Sequence, residues 1–190
     1  MWLSTNNGVS FFNPETKKVK NYNRESGRLV GGFNTDSGLI TQAGEVIFGG
    51  VNGLRIYNPT GLQDNKTIPP IALTDFKIFA DSVKVGGDDG ILSQAINLTD
   101  SITLDYKKSM FVFGFSALNF RDPDKNQYAY KLEGFDENWL FVGSQRTAKY
   151  TNLDAGVYTF HDNGSNNDGV WNEQSKSITL YFVAKTKGRN

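Results

Sequence analysis

Two carboxylate pairs, Asp122 with Asp124 and Asp136 with Glu137, are the side chains of this 190-residue chain best suited to acid–base chemistry. A glycosidase needs two such groups about 5 to 10 Å apart in a cleft. Both pairs sit in turn-like contexts, beside Pro123 and Gly134, where acids are ordinarily solvated, so neither is read as catalytic. His161 follows Phe160 in a strand-like run, and no Ser or Cys elbow accompanies it; it too takes no catalytic role. Residues 162–169 gather side-chain oxygens of the kind a hard cation favours. Placing Gly169 at the sixth position of an EF-hand loop, however, puts Gly164 first and Ser175 twelfth, and neither can supply a carboxylate. A hairpin loop held by Asn and Asp side chains bonding to their own backbone is expected instead. Tyr128, Tyr130, Trp139, Tyr150, Tyr158 and Trp171 have faces that could stack on sugar rings, but alternating aromatics on strands usually fill a core, and the structural role is favoured. Asn65-Lys66-Thr67 and Asn97-Leu98-Thr99 match the glycosylation sequon, a motif too short to carry weight alone.

Composition narrows the chemistry further. The 20 basic and 20 acidic side chains cancel, which leaves no electrostatic footprint for nucleic acid or an anionic membrane surface. With no Cys and one His, disulfides, thiolate zinc sites, Cys nucleophiles and multi-His metal sites are excluded, and no cofactor motif is present. Abundant Phe (14), Tyr (8) and Gly (20) against scarce Met (2) predict an all-β protein, because aromatics suit strands and Gly supplies turns. No run is apolar enough to span a membrane. Met1 leads directly into strand-like Trp2-Leu3-Ser4 without a leader, which suggests a piece of a longer protein.

The elements that must position these residues fall into two groups. Asn6-Asn7-Gly8-Val9-Ser10-Phe11-Phe12-Asn13-Pro14 aligns with Val51-Asn52-Gly53-Leu54-Arg55-Ile56-Tyr57-Asn58-Pro59 at a spacing of 45 positions. Each copy reads as a β-hairpin turning at Asn-Gly and stopped at Asn-Pro, and a period of about 40 to 45 residues is that of propeller blades. Lys17 to Tyr22 reads as a further strand, and Gly27 to Gly38 as loop. Fewer than two blades cannot cover their apolar faces, so Trp2, Leu3, Val46, Ile47 and Phe48 are expected to need the sandwich or a second chain. Residues 1–62 are thus taken as incomplete terminal propeller repeats, and 63–69, closed by Pro69-Pro70, as a linker.

Residues 70–185 show strands at sandwich spacing: 71–79, 101–104, 110–115, 127–133, 139–142, 148–151, 156–161 and 177–183. Leu153-Asp154-Ala155-Gly156-Val157-Tyr158 has the sequence form of a tyrosine corner, which points to an immunoglobulin or fibronectin-like β-sandwich. Residues 186–190 form a polar tail.

The run Tyr128-Ala129-Tyr130-Lys131-Leu132-Glu133-Gly134-Phe135-Asp136, with Trp139, Ala148 to Leu153, Gly156 to Phe160 and Asn167 to Asn172, resembles the three-tyrosine (Y_Y_Y) domain of bacterial two-component sensors. The preceding Trp2 to Val9 and Phe48 to Leu54 are similar to the regulator-propeller repeats that come before it in such sensors. The resemblance implies a non-catalytic sensory segment on the periplasmic or extracellular face of the inner membrane. A propeller there holds a ligand, and the sandwich relays its state to a membrane-linked kinase or cyclase through subunit geometry. It implies further blades, and membrane and output domains, as partners; relay through subunit geometry itself demands a dimer with at least two packings, so a homodimer is expected. Tyr128, Tyr130, Trp139, Tyr150, Leu153, Gly156, Tyr158 and Trp171 are its structural motif. The basic tail departs from the family's usual run into the membrane and is read as truncation. The alternative is a carbohydrate-binding or adhesive module with an oligosaccharide ligand; a glycosidase accessory domain is weaker.

Overall fold

The computed structural model describes residues 1–6, 8–23, 32–59, 64–174 and 176–184. It divides into two compact units, Met1–Asp64 and Asn65–Asn190. Asn7 of the first expected turn and the 186–190 tail lie outside the described residues, as do 24–31 and 60–63.

The first unit holds two three-stranded antiparallel sheets. One is β1 (Trp2–Thr5), β2 (Gly8–Phe12) and β3 (Val19–Asn23); the other is β4 (Phe33–Ile40), β5 (Val46–Gly50) and β6 (Gly53–Tyr57). The sequence repeat is a structural repeat, because a shift of 45 places carries one hairpin register onto the other. Trp2 opposite Phe11 becomes Ile47 opposite Ile56, and Thr5 opposite Gly8 becomes Gly50 opposite Gly53. The stretch 33–38, expected as loop, is strand. Its polar residues form an irregularity in the pairing between Phe33 and Gly38, with Asp36 at φ 55°, while Phe33, Leu39 and Ile40 still pair with β5.

The unit makes a core of its own, which corrects the expectation for Trp2, Val46 and Phe48, whereas Leu3 remains 45% exposed. Val9, Tyr22, Phe33, Val46 and Phe48 are buried together, with Trp2, Phe11 and Tyr57 against them. Trp2 lies 4.8 Å from Phe11 and Phe33 5.5 Å from Phe48. Gly50 is where backbones approach most closely, since a Cβ there would lie 2.4 Å from the Gly32 carbonyl oxygen. Gly50→Ala must therefore move main chain, and we expect a loss of more than about 1 kcal/mol, measured by denaturant unfolding against the parent chain.

The second unit is a β-sandwich. Its four-stranded sheet runs β13 (Thr147–Thr151), β10 (Met110–Ala117), β7 (Ile71–Ile78), β8 (Asp81–Ser82). The larger sheet runs β12 (Leu140–Gly143), β11 (Tyr128–Glu133), β14 (Gly156–Ser165), β16 (Ser177–Val183), β9 (Ser101–Asp105), with β15 (Trp171–Asn172) beside β14. All these pairings are antiparallel except β16 with β9. Alternation along β10 turns Phe111, Phe113 and Phe115 inward, where they meet Tyr128, Tyr130, Phe160 and Leu180 from the facing sheet. Phe113 and Phe160 stack across the interior at 4.3 Å and 17°. Residues 162–165, expected in a loop, continue β14, because Asp162 and Gly164 pair with Tyr130 and Tyr128. The turn proper is 166–170, where the Asn166 carboxamide oxygen accepts from the N–H groups of Asp168 and Val170.

Candidate functional site

The tyrosines fasten the sandwich. Tyr128, Tyr130, Tyr150 and Tyr158 are all buried. The Tyr128 hydroxyl accepts from the Ala117 N–H at 3.2 Å, which joins the two sheets. Tyr158 donates to the Asp154 carbonyl at 3.0 Å, the geometry of a tyrosine corner, with Leu153 buried and Gly156 packed beside the Tyr158 ring. Tyr150 donates to Asp136 at 2.6 Å, and the same carboxylate oxygen accepts the Leu132 N–H at 2.7 Å. Burial first, then that carboxylate, holds the Tyr150 phenol far above its ordinary range. Asp136, weighed as half of an acid pair, is thus a structural acceptor. Asp122, from the other pair, is buried and bridged to Lys125 at 2.7 Å. Tyr150→Phe leaves one acceptor position of Asp136 empty, and a loss of about 1.5 to 3 kcal/mol is expected by chemical denaturation.

A second feature lies on β14. Asp162 faces the interior with one carboxylate oxygen unpartnered, and burial pushes its pKa up to about 7. The unfolded chain releases this proton near the ordinary value of about 4, so the folded state holds an extra proton between about pH 4 and 7. Stability from this group is full below that window and is lost as pH rises through 7. Asp162→Asn removes the titration. The difference in Tm, variant minus parent, is expected to grow from pH 5 to pH 8; a constant difference would show that Asp162 does not titrate there.

Carboxamides occupy one end of the sandwich. Asn166 donates to the carbonyls of Asn65 (2.6 Å) and Thr67 (2.8 Å), and Asn172 donates to that of Pro69 (2.8 Å). Asn65 donates to Asn119 and Asn167, and its N–H to Asp168. Residues 65–69, expected as linker, are thereby bonded onto the second unit. Nothing local marks this, because the partners lie some hundred residues apart.

Trp139 and Trp171 stand apart from the buried tyrosines. With Phe141, which is 75% exposed, they line a cavity of about 240 Å³ on the outer face of the larger sheet. Ala129 is its floor, directly opposite both Phe141 and Asn163. Asn163 and Glu173 are its polar side chains. Reading along the sequence missed Phe141, whose neighbour Leu140 made the run look like plain strand. Among the described residues no group of three or more His, Asp or Glu gathers to hold a metal, and no helix is long and apolar enough to cross a membrane.

A β-sandwich clipped by tyrosine hydroxyls, following two repeated hairpin sheets, defines the class. Residues 119–183 match the Y_Y_Y domain family, so the second unit carries a Y_Y_Y domain. The chain is 39% identical, over 180 residues, to Histidine kinase P4 of Formosa agariphila, covering 95% of this chain and 13% of that protein. Among solved structures, the extracellular domain of BT3049 of B. thetaiotaomicron, described as a hybrid two-component system, shares the fold. Its TM-score is 0.70 at 21% identity, covering 97% of this chain and 24% of that one. Two structures of the extracellular domain of BT4673 from the same organism match at TM-scores of 0.57 and 0.54, with 25% and 26% identity, each over 96% of this chain and 24% of that one. The chain therefore spans about a quarter of those extracellular domains and about an eighth of the kinase. These likenesses support a sensor-module role.

Proposed function

We propose that the chain is a non-catalytic signal-transmitting module from the periplasmic or extracellular part of a two-component sensor. The likeness of nearly its whole length to a histidine kinase segment carries this reading. On it, the first unit is the end of a β-propeller whose ligand state the sandwich relays to a membrane-linked output domain.

The repeated hairpins support the propeller. In the first sheet the face bearing Trp2, Val9 and Phe11 packs into the unit's core. Its counterparts 45 places on, Ile47, Leu54 and Ile56, lie on the opposite face of the second sheet from buried Val46 and Phe48, and Leu54 is 71% and Ile56 60% exposed. Stacking that buries one face in the first repeat thus leaves the equivalent face open in the second. The pattern is head-to-tail, the stacking that the successive blades of a ring repeat. β3 follows its hairpin whereas β4 precedes the other, so the two sheets combined describe a four-stranded blade.

Ligand binding signals only by favouring one arrangement of subunits over another, so the module is expected to self-associate. Light scattering over a concentration series tests this. A mass rising to that of a dimer is expected; a strict monomer at high concentration removes self-association from this chain's own properties.

A further inference from the structure

We propose that the cavity framed by Trp139, Phe141 and Trp171 binds a small organic cation, an alkylated ammonium group. The rings do not form the single plane on which a sugar stacks. Phe141 and Trp171 meet at 80° with centroids 5.8 Å apart, and Trp139 lines the same space, so together they box in a compact group. The faces of such rings are electronegative and attract cations. The polar groups reinforce that sign. The Asn163 carboxamide oxygen is buried without a partner, and the Glu173 carboxylate has no ion pair among the described residues. The neighbouring Lys131 ammonium on this face is otherwise engaged, donating to the Glu137 carbonyl at 2.9 Å, and the His161 ring lies 3.2 Å from Glu133.

Size and rigidity agree with this occupant. The volume, about 240 Å³, falls below the roughly 300 Å³ at which drug-sized sites begin, and suits a head group. The wall is preassembled, because Trp171 pairs with Ser165 in the sheet while adjacent Asn172 donates to the Pro69 carbonyl and accepts the Gln174 N–H. Little ordering is left for the ligand to impose.

The test is a titration of the intact chain with choline at constant ionic strength, read by tryptophan fluorescence, since two of the three tryptophans line the cavity. The comparison ligand is 3,3-dimethylbutan-1-ol, the same shape with carbon in place of the charged nitrogen. A saturable response to choline is expected, at least about fivefold tighter than to the alcohol. Phe141→Ala and Glu173→Gln, both at exposed side chains, should each weaken it at least about threefold without lowering Tm. No saturation with choline, equal affinity for the neutral alcohol, unchanged binding in both variants, or a response only to an oligosaccharide such as maltotriose would each overturn the proposal. None of these outcomes depends on whether the chain self-associates.

Discussion

The sandwich rests on rings meeting rings across its interior. Phe113 stacked on Phe160, with Phe76, Phe111, Phe115, Tyr128, Tyr130 and Tyr150 around them, sets the separation of the two sheets. Large rigid rings bury much area at little rotamer cost. Phe111, Phe113, Phe115 and Phe160 end wholly inside that core. A phenylalanine tip there meets only other apolar groups, whereas a tyrosine tip needs a polar partner. Ala117, Asp136 and Asp154 are those partners, and each lies at a strand end or in a turn. The aromatic core thus governs where the surrounding loops are held, through the hydroxyls of Tyr128, Tyr150 and Tyr158.

The carboxamide cluster works differently, because each Asn both donates and accepts and so can serve an irregular backbone that no sheet can pair. Residues 65–70 follow such a path, with the carbonyls of Asn65, Thr67 and Pro69 taken by side chains and that of Pro70 by the Leu118 N–H. Buried Asn126, at the end of the 3₁₀ turn before β11, and buried Asn119, just after β10, complete the network. The same β15 that accommodates Asn172 presents Trp171 outward, so the held segment and the aromatic cavity share one short strand.

Much of this was legible in the chain itself. Period-two aromatics announced β10, β11 and β14, because burial of one face is a local pattern. The 45-residue repeat survived into an identical register, since in both copies the second strand opens on a glycine of positive φ, Gly8 at 136° and Gly53 at 96°, opposite the last residue of the first. Other features were hidden for physical reasons. β8 and β15 have two residues each, too short for any period to show. Asp162 to Ser165 look like a turn by composition, yet the neighbouring strand supplies hydrogen bonds that override that preference. The cavity draws on β11, β12, β14 and the β15 region, and proximity made by pairing register leaves no trace in spacing.

The parallel pairing of β16 with β9 carries a consequence for how the molecule is made. Ser101 lies opposite Thr179, so β9 waits for a strand 78 residues further along the chain. Until then, the larger sheet lacks a central ladder between β14 and β9, and Ile102 and Leu104 have no covered face. A contact so distant along the chain makes closure slow and leaves adhesive edges exposed meanwhile. Before β16 joins, β9 is an unpaired edge open to pairing with another chain.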